Sequence, residues 1–240
     1  MGSGTVFERY EIKYIITEKQ KELIKNGMEK YMAPDKYGRS VIRNIYYDTA
    51  DSRLIRRSNE KPVYKEKLRV RSYKRVESDD ETVFVELKKK YNSVVYKRRS
   101  VLSENTAAKW LNDGQLPQEQ TQIISEIEYF RRFYGSLVPS AFVSYDREAF
   151  FAVDGSDFRI TFDENITART TDLSLKKDVG GEKLLGNGLV LMELKTHSGI
   201  PLWMTSLLSE NEIYKTSFSK YGTAYRTMIF PEKGEIKNVC

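Results

Sequence analysis

Cysteine and histidine are almost absent from the 240 residues, with one of each, Cys240 and His197. One cysteine leaves no disulfide framework, and one of each excludes a cysteine-rich or multi-histidine metal centre. The composition suits a reducing compartment. No Pro/Gly/Ser-rich linker breaks the chain and no repeat recurs at a fixed period, so one domain over residues 1–240 is expected. No run approaches the roughly 20 apolar residues that span a bilayer, and Met1-Gly2-Ser3-Gly4-Thr5 has no apolar signal core. A soluble, cytoplasmic chain without a membrane segment is the expectation.

Hydrophobic residues make up 40% of the chain, enough for a substantial core, so wholesale disorder is excluded. Charged residues make up 31%, and 40 Lys+Arg against 34 Asp+Glu leave a net charge of only +6. Where the cations sit therefore matters more than their sum.

The segment Thr17-Glu18-Lys19-Gln20 has capping-box spacing, and Leu23, Ile24, Met28, Tyr31 and Met32 follow as the apolar face of a first helix. A second helix is predicted after Ser103. A third runs over Gln118–Tyr134, with Ile123, Ile127, Phe130 and Tyr134 as its stripe and Gly135 as its stop, and a shorter one follows Pro201. The rest reads as eight strands: Phe7–Ile16, Val41–Asp48, Tyr64–Tyr73, Thr82–Lys90, Val94–Leu102, Ser140–Phe151, Phe158–Asp163 and Leu189–Thr196. So many strands with few helices between them predict an α+β fold built on an antiparallel sheet or closed barrel.

Residues two apart in a strand share a face. By that rule Arg9, Glu11 and Lys13 align, as do Lys65, Lys67, Arg69 and Arg71. Glu86 and Lys88 oppose Val83, Val85 and Leu87; Lys97 aligns with Arg99, and Tyr145 with Arg147. Arg159, Thr161 and Asp163 oppose Phe158, Ile160 and Phe162, while Glu193 and Lys195 oppose Val190, Met192 and Leu194. An open sheet with one solvated face is one explanation. The other is a barrel of eight strands whose charged face lines the interior. Like charges about 8 Å apart repel by roughly 2 kcal/mol at an effective dielectric near 20, so a lumen of cations calls for a polyanion. Arginine forks and compact lysine charges suit adjacent phosphates. Carboxylates on that face either pair with neighbouring cations or hold Mg²⁺ or Mn²⁺ together with phosphate oxygens. Glu193 is the leading candidate ligand, ahead of Glu11 and Glu86.

Eight segments in order carry a resemblance: Phe7-Glu8-Arg9-Tyr10-Glu11-Ile12-Lys13-Tyr14, Leu68-Arg69-Val70-Arg71, Glu86-Leu87-Lys88, Lys97-Arg98-Arg99, Ser144-Tyr145-Asp146-Arg147, Arg159-Ile160-Thr161-Phe162-Asp163, Met192-Glu193-Leu194-Lys195 and Phe218-Ser219-Lys220-Tyr221. Over nearly the whole chain this pattern resembles the polyphosphate-polymerase domain of the vacuolar transporter chaperone family, in the triphosphate tunnel metalloenzyme superfamily. The resemblance implies an antiparallel eight-stranded β tunnel with a basic interior, flanked by helices, that binds a nucleoside triphosphate such as ATP and a growing polyphosphate or pyrophosphate. It implies Lys13, Arg69, Arg71, Lys88, Lys97, Tyr145, Arg147, Arg159, Lys195 and Lys220 as the phosphate-binding set. Catalysis would fall to Arg69, Arg71, Glu193 and Lys220, with Glu193 holding Mn²⁺ or Mg²⁺. The superfamily's wider Glu-x-Glu-x-Lys motif reads Arg9-Tyr10-Glu11-Ile12-Lys13 here, so an arginine replaces its first carboxylate.

The expected function is a metal-dependent polyphosphate polymerase. Its rivals are a triphosphatase on the same scaffold, a non-catalytic polyphosphate-binding module and a single-stranded RNA binder. The last would need aromatic stacking platforms that the charged face lacks, so nucleic acid is not an expected partner. Trp110 and Trp203 read as helix packing, His197 as a hydrogen-bonded loop residue, and Arg53, Arg56 and Arg57 as a solvated surface.

Overall fold

The computed structural model describes residues 10–92, 94–197 and 199–231. Arg9, with Phe7 and Glu8 of the first motif, and Cys240 lie outside the described residues. Ten strands form one antiparallel sheet: β1 (Tyr10–Thr17), β2 (Met32–Pro34), β3 (Ser40–Thr49), β4 (Tyr64–Ser72), β5 (Thr82–Tyr91), β6 (Val94–Ser103), β7 (Leu137–Ala152), β8 (Arg159–Arg169), β9 (Glu182–Lys183) and β10 (Leu189–Thr196). Eight of them follow the order β1-β10-β8-β7-β3-β4-β5-β6, with β2 appended to β7 and β9 to β8.

Six α-helices accompany the sheet: α1 (Glu18–Met28), α2 (Arg53–Asn59), α3 (Glu104–Asp113), α4 (Gln122–Tyr134), α5 (Leu202–Glu210) and α6 (Lys220–Ala224). Helix α1 starts as its sequence dictates. The Thr17 hydroxyl accepts from the Gln20 amide at 3.1 Å, and the Gln20 side chain accepts from the Thr17 amide at 3.0 Å. Its buried face is Lys21, Ile24 and Met28, however, while Leu23 is exposed and Tyr31 lies beyond the helix, stacked on Trp203. Helix α4 begins later than the apolar stripe suggested because Thr121 caps it, accepting from the Ile124 amide at 3.2 Å. Gly135 ends it at φ 77°, a left-handed conformation that favours glycine. The run Arg53, Arg56, Arg57 is exposed, as expected of a solvated surface, and lies on helix α2, which buries Leu54, Ile55 and Ser58. No helix among the described residues is long and apolar enough to cross a membrane.

Strand alternation separates two environments. Outward, Leu68, Val70, Val83, Val85 and Leu87 pack with Trp110 and Leu111 of α3 and Ile124, Ile127 and Phe130 of α4. At the other flank, Ile160, Phe162, Met192 and Leu194 pack with Ile24 and Met28 of α1 and Met204 and Leu208 of α5. Burying such side chains contributes about 1.5–3 kcal/mol each, which directs the charged positions inward.

Two expectations need correction. Hydrogen bonding does not close the barrel: β1 and β6 are the free edges of the path and approach without a ladder between them. Side chains span the gap instead, with Lys88 of β5 donating to Glu11 of β1 at 2.7 Å. Nor is the interior basic throughout. One half is apolar, where Ile42, Tyr46, Ala141, Val143 and Leu191 pack against Ile55 of α2 and Tyr221, Ala224 and Tyr225 of α6 and the following π-helical turn. Asp48 anchors this plug, accepting from the Leu54 and Ile55 amides and, at 2.9 Å, from the Tyr221 hydroxyl.

A glycine controls the strap between β8 and β9. Gly181 sits at φ +126°, and a Cβ there would lie 2.0 Å from the Ala168 carbonyl oxygen. Gly181→Ala is expected to cost at least about 2 kcal/mol of stability, read as a lowered Tm.

Candidate functional site

The inner face answers the choice between a solvated sheet and an enclosed one. Glu86 and Asp163 have 0% exposure and Glu193 only 7%, so the charged side chains surround a sheltered space. Its floor is the N-terminus of α6. Lys13 donates to the Phe218 carbonyl at 2.7 Å and Lys67 to the Ser219 hydroxyl at 2.9 Å, while Thr216 bridges to the Lys13 main chain.

Two carboxylate-centred clusters organise the cations. In the first, β10 sets Glu193 opposite Lys13 of β1 and Thr161 of β8. Its carboxylate has Lys195 at 3.2 Å, Lys13 and Arg147 at 3.6 Å and Lys220 at 3.7 Å. Beside it, Asp163 receives a bidentate fork from Arg147 at 2.5 and 2.6 Å and Lys220 at 2.5 Å. Burial alone would raise the Glu193 carboxyl, but the four cations hold it well below the carboxylate range. The Asp163 carboxyl is likewise lowered against its burial, by Arg147 and Lys220.

The second cluster centres on Glu86 of β5. Arg69 binds one oxygen through Nε at 2.8 Å and Nη2 at 2.7 Å; Arg99 binds the other through Nε at 2.7 Å. Lys97 follows at 3.6 Å and Arg71 at 3.9 Å. Arg71 is further held by Asn44 at 2.9 Å and by the Tyr145 hydroxyl at 3.1 Å. Tyr145 joins the clusters by alternation with Arg147 along β7, while the register shift beside it takes up an extra residue on β8, where Asn165 sits at φ 50°. Lys220 lies 4.4 Å from the Tyr145 ring centroid and Arg147 5.1 Å. Although burial raises the Tyr145 phenol, Arg147, Arg71 and Lys220 bring it down to about 8. Lys97 is also shifted to about 8, by burial first, with the Glu86 carboxylate opposing.

Along β4 and β5, beyond the two clusters, the balance changes. Lys65 pairs across strands with Lys90, and Lys67 with Lys88, which in turn faces Lys97. Directly opposed like charges are destabilising in a sheet, and Glu11 is the carboxylate bonded to this row. Burial together with Lys13, Lys65 and Lys88 pushes Lys67 well below the ordinary lysine range.

The structure thus brings together Lys13, Arg69, Arg71, Lys88, Lys97, Tyr145, Arg147, Glu193, Lys195 and Lys220. Arg159 shares their face, opposite Lys195, but stands exposed at the mouth and makes no hydrogen bond or ion pair among the described residues. Lys67, Arg99 and Asp163 belong to the site although the resemblance assigned them no role; alternation with Arg69, Lys97 and Arg159 set them on the charged face. His197 lies at the bend after β10 beside Asp157, whose carboxylate accepts from its amide at 2.7 Å. Trp110 packs in the outer core and donates to Glu128 at 2.9 Å.

For a divalent metal, the chemistry of the donor set decides the fit. Among the described residues no three acidic, histidine or cysteine side chains converge. Glu11 is held by Lys88, and Asp163 by Arg147 and Lys220. Glu193, whose four cations stand no nearer than 3.2 Å, is the single carboxylate with room for a ligand, which fits a cation arriving on phosphate oxygens and not a cage built from protein alone.

No curated protein matches the chain significantly. Among solved structures, a candidate adenylate cyclase from Bacillus halodurans aligns with 14% identity and a TM-score of 0.53, over 89% of this chain and 96% of that one. A candidate adenylyl cyclase from Hippeastrum, described as having a dominant triphosphatase activity, aligns with 15% identity and a TM-score of 0.55, over 92% and 96%. At these identities the likeness establishes a shared tunnel fold. The VTC domain model matches residues 8–229, so the chain belongs to the VTC domain family.

Proposed function

We propose that the protein is a metal-dependent polyphosphate polymerase, moving the terminal phosphoryl group of a nucleoside triphosphate onto a growing polyphosphate chain. The observation that carries this reading is the lysine row beyond the two carboxylate-centred clusters. A triphosphate alone would be served by Arg69, Arg71, Arg147 and Lys220, whereas Lys65, Lys67, Lys88 and Lys90 extend the cationic track along β4 and β5 beyond those groups. Point charges on flexible stems suit a repeating anion that must move, while rigid guanidinium forks suit one that must be aligned.

Phosphoryl transfer asks for alignment and charge neutralisation more than for a protein nucleophile. In this reading Arg69, Arg71 and Lys220 neutralise the transferring group. Lys13, Lys88, Lys97, Tyr145, Arg147 and Lys195 hold the flanking phosphates, and Arg159 collects them at the mouth. Glu86 and Asp163 keep the forks in place before substrate binds. Glu193 would hold Mg²⁺ or Mn²⁺, which supplies Lewis-acid polarisation of a phosphoryl oxygen when bound. The attacking terminal phosphate is already anionic, so no general base is required. Because the apolar plug fills the other half of the interior, substrate and product share the mouth at which Arg159 stands.

The purified chain incubated with ATP and Mn²⁺ or Mg²⁺ is expected to yield a ladder on a gel stained for polyphosphate. Free phosphate without a ladder would replace the polymerase with a triphosphatase. Unchanged ATP with tight polyphosphate binding would leave a binding module.

A further inference from the structure

On the outer face of the sheet lies a buried cation that the lumen chemistry does not use. Arg43 of β3 pairs with Ser72 of β4 and Ser144 of β7, so it shares their outward face, opposite to Arg71 and Arg147. It is only 8% exposed, yet makes no hydrogen bond or ion pair among the described residues, and its Nε is a buried donor without an acceptor. A guanidinium largely buried and unpaired, with Nε shut off from solvent, is costly, and the cost falls when an anion completes it.

The surroundings are those of an anion site. Arg75 and Arg169 add positive charge around Arg43, against the single carboxylate of Asp178. That carboxylate is already bound by Arg75 at 2.7 Å. Arg169 lies 3.8 Å from the Phe142 ring centroid and donates to main-chain carbonyls of Asp172, Ser174, Asp178 and Gly180, which fixes the strap before β9 over this face. Arg75 reaches the same strap through the Lys176 carbonyl at 2.8 Å. Beside Arg43, the hydroxyls of Ser144 and Thr167 hydrogen-bond each other at 2.9 Å and retain acceptor and donor capacity. Burial first, and then Arg75, shift the Arg43 guanidinium downward, as expected of a cation lacking its counter-ion.

We propose that Arg43, Arg75 and Arg169 form a second anion site on the outside of the sheet, separate from the lumen, which takes one phosphate-sized oxyanion. Bound there, the anion would join β3 to the strap over residues 170–181. The site does not depend on the polymerase reading.

The test uses the full chain, inorganic phosphate as the probe, and constant ionic strength. Equilibrium dialysis with labelled phosphate is expected to count one phosphate fewer per chain in Arg43→Met than in the unmodified protein. Arg75→Gln should weaken that same site at least tenfold. Arg69→Gln, which alters the lumen, should leave it intact. In phosphate-free buffer Arg43→Met is expected to melt above the unmodified protein, because an unpaired buried charge has been removed, and to lose its share of the phosphate-dependent rise in Tm. An unchanged phosphate count in Arg43→Met would overturn the proposal. Should Arg43→Met fail to fold, the surface variant Arg75→Gln decides by the same count, and unaltered binding there overturns it equally.

Discussion

Glu86→Gln is expected to lower the unfolding free energy by about 3–5 kcal/mol in phosphate-free buffer, because it removes one member of a buried ionic cluster and leaves the others uncompensated. The carboxylate is fully buried, and its two oxygens divide Arg69 from Arg99, with Lys97 and Arg71 within 4 Å. A glutamine offers one acceptor and no charge to those four cations. Polyphosphate should restore much of the loss by supplying the missing negative charge, a recovery that an ordinary core defect would not show. Chemical unfolding with and without polyphosphate measures both effects. A loss below about 1 kcal/mol, or one indifferent to polyphosphate, would mean that Glu86 does not organise the cluster. The same carboxylates set the acid limit. Burial opposes ionisation of Glu86 and Glu193, but their cations dominate and hold both well below 4.5; Glu11 is lowered to about 2 in the same way, chiefly by Lys88. With folded values depressed, their stabilisation is complete above the ordinary carboxylate range. It is lost as pH falls from about 4.5 through the lowered values.

Glu193→Gln is expected to reduce metal-dependent turnover by about 10²–10³, comparable to losing one preorganised electrostatic contact to a transition state. Polyphosphate affinity measured without metal should be retained or strengthened. Lys13, Arg147, Lys195 and Lys220 would no longer share their charge with a carboxylate 3.2–3.7 Å away. Steady-state turnover together with metal-free binding separates these effects. If affinity and turnover fell together, Glu193 would be holding the cationic wall in place. If turnover were unchanged, it would have no part in the reaction.

How much of this was readable beforehand follows from the range of the physics involved. The start of α1 was legible because Thr17 and Gln20 satisfy each other's main-chain groups within one turn. The converging cations were legible because alternation in a strand has period two, and one apolar row obliges the other to face away from the core. Arg159 kept its predicted face but stands at the mouth, since alternation assigns a side and not a depth. For the carboxylates on that face alternation left ion pairing and metal binding both open; Asp163 and Glu86 prove to be its anchors, which became evident only when Arg147, Lys220, Arg69 and Arg99 were seen around them. Helix α2 was missed because its short arginine-rich segment has no side-chain cap at Ser52 and is stabilised by Asp48 at the end of β3 and by contact with α6.

Local order, the eight strands of the main path and the segregation of charge from apolar surface were therefore determined by the sequence itself, since each depends on neighbours within a few residues. Tertiary structure alone decided the open edge between β1 and β6, the apolar plug that leaves one basic mouth, and the unpaired Arg43 on the outer face. Those features arise from side chains tens to hundreds of residues apart, whose electrostatic and packing energies exist only once the sheet has curled and brought them together.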